Sequence, residues 1–456
     1  MDHIIELLSR ELDRPAQHVE NIVALLDEGN TVPFIARYRK ELHGAMDDQL
    51  IRQLADRLQY LRNLQARRDE VKQSIENQGK LTEELSAAID AASTLAEVED
   101  LYRPYKQKRR TRATMAREKG LEPLAELAFA IGPAVDLEAA AQDYIGPEKG
   151  VETAEDALQG ASDIIAELIS DDADVRKLLR ELYWRRASLM SCAAAKEPED
   201  SVYRLYYEFS SQLSKTQGYQ VLAINRGERE DILKVSVEMD RETALVALRG
   251  KVVQGRAAME FVKNAAEDAY DRLIAPSLER EVRSELTDKA NEGAIGQFAL
   301  NLKPLLMQPP VKGFVTMGLD PGYRMGCKVA VVDPTGKVLD TTVVYPTHGE
   351  RGKNEAIDRL AVLIKKHKVA HIAIGNGTAS RETEQMAVEL IRKAGGGVSY
   401  AMVNEAGASV YSASKLAAEE FPEFDVNLRS AVSIARRLQD PLAELVKIDP
   451  KSIGVG

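Results

Sequence analysis

The feature that most constrains the fold is a change in hydrophobic periodicity along the chain. Through the first 195 residues, apolar side chains recur every three or four positions, which is the period of amphipathic α-helices. The longest such stretch, about 47–78, would form a rod roughly 45 Å long. We expect it to be a spine packed by its neighbours rather than a dimerising coiled coil, because Arg68 occupies one seam position. From residue 314, strand-like runs alternate with helical ones, so the sequence predicts a mostly α-helical body over 1–195 and an α/β domain over 313–442.

The region between these two, 196–310, has a mixed pattern. Two short apolar runs at 220–225 and 232–237 predict a β-hairpin joined by a turn. Helical periodicity then returns, and Pro304, with the proline pair that follows it, predicts the end of the region. Residues 443–456 end without a polar tail or a helix cap, and we expect them to begin a truncated C-terminal segment.

Composition narrows the class of protein. Hydrophobic residues make up 44% of the chain and charged residues 29%, as in globular proteins. No apolar run approaches the ~20 residues that span a bilayer, and the chain starts with no export signal. Cys192 and Cys327 lack the spacing of metal ligands. We therefore expect a cytoplasmic protein that does not associate with membranes. The net charge of −11 means that any nucleic-acid binding must use local basic surfaces.

The sharpest motif is GLDPGYRMG at 318–326, which places Asp320 at the end of a strand before a Pro-Gly turn. Ribonuclease H-like nucleases hold Mg²⁺ with an aspartate in this position. Actin-like ATPases use the same hairpin to cradle phosphate, and a simple turn cap is the third alternative. An actin-like ATPase needs two such sheets, and the chain ends at residue 456. One ribonuclease H-like domain fits the remaining length better.

Further carboxylates are scarce in this domain. Two divalent ions held ~4 Å apart need several acids, but the predicted strand before Gly375 ends without one. Glu405 follows the last strand and can approach Asp320, whereas the final helix carries Ser430 where an acid would be useful. We therefore predict no complete catalytic or metal-binding site in this domain. Asp320 and Glu405 are vestigial candidates for one weakly bound Mg²⁺ or Mn²⁺ ion, and no other cofactor is expected.

Two basic clusters predict contacts with nucleic acid. The larger, residues 103–112, combines six cations with a tyrosine and suits a phosphate backbone with one stacked base. The alternative is a solvated loop whose cations pair with the chain's own acids. The smaller cluster surrounds Tyr38, and its alternative is local pairing with Glu41 and a core position for the tyrosine. The predicted binding residues are Arg103, Tyr105, Lys106, Lys108, Arg109, Arg110, Arg112, Arg37, Arg39 and Lys40.

Five stretches of the chain resemble the Tex family of bacterial transcription accessory proteins. They are GNTVPFIARYRKE (29–41), EDLYRPYKQKRRTRA (99–113), NRGER (225–229), GLDPGYR (318–324) and SAVSIARRLQDP (430–441). The resemblance implies a helical N-terminal region with helix-turn-helix character, followed by a YqgF/RuvC-type, ribonuclease H-like domain. Family members continue with helix-hairpin-helix elements and an S1 domain, and this chain ends before both. In active YqgF or RuvC relatives, carboxylates would lie near Gly375 and around Ser430.

These observations together predict a nucleic-acid-binding scaffold accessory to transcription. We expect it to contact RNA or DNA, and RNA polymerase or other transcription and RNA-processing proteins, with a nuclease-like domain that is inactive. One alternative is a metal-dependent nuclease or resolvase that uses Asp320 and Glu405. The other is a protein-interaction module that contacts polymerase.

Overall fold

The chain folds into two compact units, Met1–Thr287 and Asp288–Gly456. The computed structural model describes residues 2–106, 110–194 and 201–454. Two predicted binding residues, Lys108 and Arg109, therefore lie outside the described residues. Within those ranges, no helix is long and apolar enough to cross a membrane. The division between the units falls inside a helix, at 287/288, rather than at the prolines between 304 and 310.

The first unit is mainly helical. Its elements are α1 (Asp2–Leu12), α2 (Ala16–Asp27), α3 (Val32–Tyr38), α4 (Asp48–Glu76), α5 (Glu83–Ala91), α6 (Leu95–Tyr102), α7 (Arg112–Glu118), α8 (Glu122–Phe129), α9 (Leu137–Ala141), α10 (Ala154–Asp171), α11 (Ala173–Arg186), β1 (Ser188–Ala193), β2 (Glu208–Gln212), α12 (Gly218–Arg229), β3 (Leu233–Glu238), α13 (Arg241–Val252), α14 (Met259–Asp268) and α15 (Ala275–Leu306). Side-chain caps fix several helix starts, for example Asp47, which accepts a hydrogen bond from the backbone N–H of Leu50.

Helix α4 is the long helix predicted from the periodicity, and it is packed within the chain. Its buried stripe lies against α1–α3 at one end and against α5 and α6 at the other. Arg68 does not face a second coiled-coil strand; it donates a hydrogen bond to the carbonyl of Ala92, just after α5. The helix is therefore a spine for the small helices around it, as predicted.

A buried ionic cluster ties three helices of this unit together. Arg176 of α11 is 1% exposed and donates to Asp100 of α6 at 2.8 Å. It also donates to Glu281 of α15 at 2.9 Å, and Arg180 binds the same two carboxylates. Because charges buried without partners are costly, this cluster fixes the register between α6, α11 and α15.

The predicted hairpin in the central region is wrong. Residues 220–225 lie in α12, which buries Val221, Ile224 and Gly227 at helical spacing. Only the second predicted strand exists, as β3, in an antiparallel sheet of order β2-β1-β3. Strand β1 falls inside the stretch that was predicted to be mostly helical. Pro304 does not end its helix either, since α15 continues through it to Leu306.

The second unit holds the predicted α/β domain. After the end of α15 its elements are β4 (Thr316–Asp320), β5 (Cys327–Val332), β6 (Val338–Val344), α16 (Gly349–His367), β7 (His371–Gly375), α17 (Ser380–Lys393), β8 (Ser399–Val403), α18 (Ala408–Ser412), α19 (Lys415–Glu420), α20 (Val426–Gln439) and α21 (Pro441–Leu445). Between β8 and α20 lie two short helices rather than one, because Ser414 caps the start of α19. Beyond α21, Ile448 and Ile453 pack with Tyr411 in a small core.

The sheet of this unit has the order β6-β5-β4-β7-β8. Strands β4, β5 and β6 are antiparallel neighbours, while β7 and β8 run parallel to β4. Helices α16 and α17 cover the face to which Met317 and Leu319 contribute, and α20 packs on β4 and β5 from the other face. The predicted fold class, a mostly helical body followed by a ribonuclease H-like α/β domain, is confirmed by this sheet order.

Candidate functional site

Asp320 lies at the carboxyl end of the central strand β4, where the final helix α20 approaches the sheet most closely. Gly318 permits this approach, since a Cβ there would overlap the carbonyl oxygen of Ala431 and lie 2.8 Å from the backbone nitrogen of Ala435. The hydroxyl of Ser430 is consequently within hydrogen-bonding reach of Asp320. Burial raises the pKa of the Asp320 carboxyl, and the Ser430 hydrogen bond and the charge of Lys328 oppose this rise.

Glu405, which follows β8, comes close to Asp320, as the sequence predicted. A Cβ at either Gly375 or Gly377 would overlap its carboxylate oxygens, so the side chain lies directly over the end of β7. Its backbone N–H donates to the side-chain oxygen of Asn376 at 3.1 Å. Burial, followed by the negative charge of Asp320, raises the pKa of Glu405. One of its carboxylate oxygens is buried without a hydrogen-bond partner.

Arg437 of α20 is the residue that sequence reasoning missed. It is 3% exposed, and its Nη1 donates to the carbonyls of Asn404 and Ala406, both at 2.8 Å. These two bonds hold the loop that carries Glu405. Burial lowers the pKa of Arg437, and its Nε and Nη2 have no hydrogen-bond partner. The spacing in the sequence could have identified Arg437. It follows Ser430 by seven positions, which places both residues on the buried stripe of α20.

This donor set does not fit a two-metal nuclease site. Within the described ranges, no group of three or more histidine, cysteine, aspartate or glutamate side chains is placed to hold a metal ion. Asp320 and Glu405 are accompanied by two cations, Lys328 and Arg437, whose charges act on these carboxyls. Several carboxylates would be needed to balance two divalent ions, whereas this edge supplies two carboxylates already facing positive side chains.

The larger basic cluster lies in and around the loop between α6 and α7, and its described cations have acidic neighbours. Arg103 pairs with Asp171 at 3.1 Å, Lys106 pairs with Glu99, and Arg110 pairs with Glu118 at 2.6 Å. Tyr105 is half-buried and packs against the core formed by α4, α5 and α6, whereas Arg112 is exposed at the start of α7. The pairing predicted as the alternative is therefore present. Exposed ion pairs contribute only ~0.2–1 kcal/mol, however, so a phosphate can compete for Lys106 and Arg110.

The smaller basic cluster differs in the surroundings of its cations. Among the described residues, Arg37, Arg39 and Lys40 form no ion pair, with Glu41 or with any other acid. Tyr38 is 56% exposed, which contradicts a core position for it. The guanidinium of Arg37 lies 5.5 Å from the Tyr38 ring centroid, and that of Arg39 lies 5.2 Å from the ring centroid of Phe34. The structure therefore presents the exposed cations of Arg37 and Lys40 beside the exposed ring of Tyr38 at the end of α3.

Family models match most of both units. "Tex-like protein N-terminal domain" matches residues 2–76, "Tex central region-like" matches 132–298 and "Tex protein YqgF-like domain" matches 314–439. The chain belongs to the Tex family. The match over 314–439 covers the sheet, the Asp320 edge and helix α20.

Relatives across bacteria and animals support the assignment to the Tex family. "Uncharacterized protein YdcI" of Bacillus subtilis is 50% identical over 453 residues, covering 98% of this chain and 63% of the relative. "Transcriptional accessory protein Tex" of Neisseria gonorrhoeae is 46% identical over 466 residues, covering 100% of this chain and 60% of the relative. Human "S1 RNA-binding domain-containing protein 1" is 39% identical over 473 residues, covering 99% of this chain and 47% of the relative. The chain thus spans about three fifths of the length of its bacterial relatives.

Proposed function

We propose that this Tex-family chain is a nucleic-acid-binding scaffold accessory to transcription, and that its YqgF-like domain does not cleave nucleic acid. The observation that carries the proposal is the composition of the Asp320 edge. Helix α20 supplies Ser430 and Arg437 there, and neither can bind a divalent ion as a carboxylate does. The domain has the fold of a nucleic-acid enzyme, but the side chains that α20 supplies at this edge hold a loop in place.

The helical unit supplies the surfaces for binding. Helices α2 and α3 are joined by a short turn that contains Gly29 with a φ of +84°, and helix-turn-helix motifs often carry a glycine in their turn. We propose that they form one, with Arg37, Arg39 and Lys40 at the end of the second helix contacting phosphates. The basic loop between α6 and α7 is the second contact, in which phosphate replaces the acids now paired with Lys106 and Arg110.

The partners follow from the same chemistry and from the names of the relatives. One relative is a "Transcriptional accessory protein", and another is an "S1 RNA-binding domain-containing protein". We propose RNA or DNA as the ligand, with RNA polymerase or other transcription and RNA-processing proteins as protein partners. No cofactor is required in this proposal, and the Asp320 edge binds Mg²⁺ or Mn²⁺ at most weakly.

Fluorescence anisotropy tests the binding part of the proposal. The chain is titrated with single-stranded RNA, single-stranded DNA and duplex DNA at several salt concentrations. We expect salt-sensitive binding, with a log–log salt slope that falls by about 0.7 for each lost phosphate contact on a single strand. One variant replaces cations of the larger cluster by alanine, and a second replaces those of the smaller cluster. A control variant replaces exposed cations elsewhere. The three sets are Lys106, Lys108, Arg109, Arg110 and Arg112; Arg37, Arg39 and Lys40; and, as the control, Arg185, Arg226 and Lys415.

A cleavage assay tests the second part. The same nucleic acids are incubated with the chain in Mn²⁺, and Asp320→Asn serves as the control variant. We expect no cleavage from either protein. Mn²⁺-dependent cleavage that disappears in Asp320→Asn would refute the proposal and identify a nuclease. Salt-sensitive capture of purified RNA polymerase without any nucleic-acid binding would refute it in favour of a protein-interaction module.

A further inference from the structure

Three rings form an exposed surface beside the Asp320 edge, in the turn after β4 and the segment after β6. We call Tyr323, Tyr345 and His348 the aromatic platform. Tyr323 is 48% exposed and Tyr345 is 44% exposed, and the rings of Tyr345 and His348 lie 5.0 Å apart between centroids. The neighbouring Met325 is 69% exposed. None of these side chains is buried in a core, and a patch of exposed apolar side chains is a candidate binding site.

The platform is held rigidly. His348 Nε2 donates to the carbonyl of Tyr323 at 3.2 Å, and the hydroxyl of Thr347 donates to the same oxygen at 3.3 Å. The hydroxyl of Tyr323 donates to Glu382 of α17 at 2.8 Å. The Tyr345 ring lies so close to Gly326 that a Cβ there would be 2.7 Å from it, and Gly326 has a φ of +73°. Because the rings are already fixed, a ligand that stacks on them loses little side-chain entropy on binding.

The charges around the platform favour an anionic ligand. Arg324 lies in the same turn as Tyr323, and Arg381 precedes the glutamate that holds the Tyr323 hydroxyl. Both arginines are exposed, and among the residues that the structure describes neither forms an ion pair. Glu382 accepts the hydrogen bond from the Tyr323 hydroxyl. The surface therefore combines stacking faces with two available guanidinium groups.

We propose that the aromatic platform binds unpaired bases of a single-stranded nucleic acid, with Arg324 and Arg381 contacting the adjacent phosphates. Every base offers a π-face, so stacking on tyrosine and histidine accepts many sequences. A duplex keeps its bases stacked on each other and cannot use the rings in this way. The inference rests on the proposed nucleic-acid-binding function and adds a strand-selective site in the second unit, separate from the two basic clusters of the first.

The test uses the full chain and a short oligouridylate that carries 5-bromouridine. Irradiation followed by mass spectrometry maps the crosslinked residues, and anisotropy measures affinity for the unmodified oligonucleotide and for duplex DNA. The test variant is the double substitution Tyr323→Leu and Tyr345→Leu, which keeps apolar volume and removes both rings. Tyr400→Leu is the matched control, because Tyr400 also donates its hydroxyl to a glutamate of α17 but lies near the amino end of β8, away from the platform.

We expect crosslinks at the platform and a loss of single-strand affinity of at least about fivefold for each base that no longer stacks. The control and duplex affinities should not change, and unaltered circular dichroism should show that the variants fold. If the wild type binds RNA and the double variant binds it equally well, the inference is overturned and the proposed function stands. Loss of polymerase capture with RNA affinity intact would also overturn it, assigning the surface to a protein. Absence of RNA binding in the wild type would overturn both proposals.

Discussion

Replacing Arg437 by methionine tests whether this buried guanidinium holds the loop of Glu405. The substitution keeps most of the apolar stem and removes two hydrogen bonds, each 2.8 Å long, to the carbonyls of Asn404 and Ala406. A hydrogen bond from a charged donor contributes ~1.5–3 kcal/mol, so the two together contribute about 3–6 kcal/mol. In the wild type the Arg437 guanidinium is a buried charge, and two of its nitrogens have no hydrogen-bond partner. Removing this buried charge offsets part of the loss in stability. We therefore expect a net destabilisation near the lower limit, about 3 kcal/mol.

Urea unfolding followed by circular dichroism measures this loss, and hydrogen exchange with mass spectrometry locates it. Amides at 403–408 should exchange faster in the variant, whereas amides in the helical unit should not. Arg392→Met is the control, because Arg392 is an exposed arginine on α17 of the same unit and should change stability by no more than about 0.5 kcal/mol. An unchanged unfolding midpoint, or faster exchange spread over both units, would refute the assignment of Arg437 as the positioning residue of this loop.

Three further substitutions test other parts of the structure. Because the pKa of Glu405 is raised, the folded chain keeps the Glu405 proton at pH values above the ordinary pKa of 4.5, and the free energy of unfolding falls as the pH rises through and beyond that value. Glu405→Gln should remove this pH-dependent loss and be more stable than the wild type in urea titrations at neutral pH. Gly318→Ala should cost about 1–3 kcal/mol or more by thermal unfolding, because the new methyl group overlaps the Ala431 carbonyl. Arg176→Met should cost about 3 kcal/mol in the same assay, because it leaves buried Asp100 with one cation instead of two.

Matched substitutions separate these effects from general ones. Glu419→Gln changes an exposed glutamate and should not raise stability at neutral pH. Gly296→Ala adds a methyl group in open space within α15 and should be neutral or stabilising by ~0.4–1 kcal/mol. Arg185→Met removes an exposed arginine from α11 and should cost less than about 0.5 kcal/mol. Equal losses in a test variant and its control would contradict the corresponding mechanism.

The α/β domain could be predicted from the sequence because its signals are local. Runs such as His371–Gly375 are short, apolar and bounded by turn residues, and the structure has strands at each predicted place. The run at 220–225 has a similar composition but forms a helix, and short apolar runs are ambiguous in this respect. Here tertiary packing decided the outcome, because Val221 and Ile224 are buried on one face of α12. Pro304 is tolerated in α15 because it lies in an exposed stretch, where water can satisfy the freed carbonyl.

The candidate site could be predicted only in part. The approach of Glu405 to Asp320 follows from strand order, because the carboxyl ends of parallel strands meet at one edge of a sheet. The role of Arg437 depends on contacts with carbonyls more than thirty residues away, and no local pattern records them. The pairing of Lys106 and Arg110 with acids was an open alternative for the same reason, since composition does not show which partners the fold brings near.

The position of Glu405 over Gly375 and Gly377 also has an evolutionary consequence. Any side chain added at Gly375 would meet the Glu405 carboxylate, and an acid there would add a third negative charge beside Asp320. A variant with an acid at this strand end would lose stability unless Glu405 also moved. Several substitutions, including one that moved Glu405, would have to arise together. The residues at 375 and 405 are therefore coupled, and the effect of a substitution at one depends on the side chain at the other.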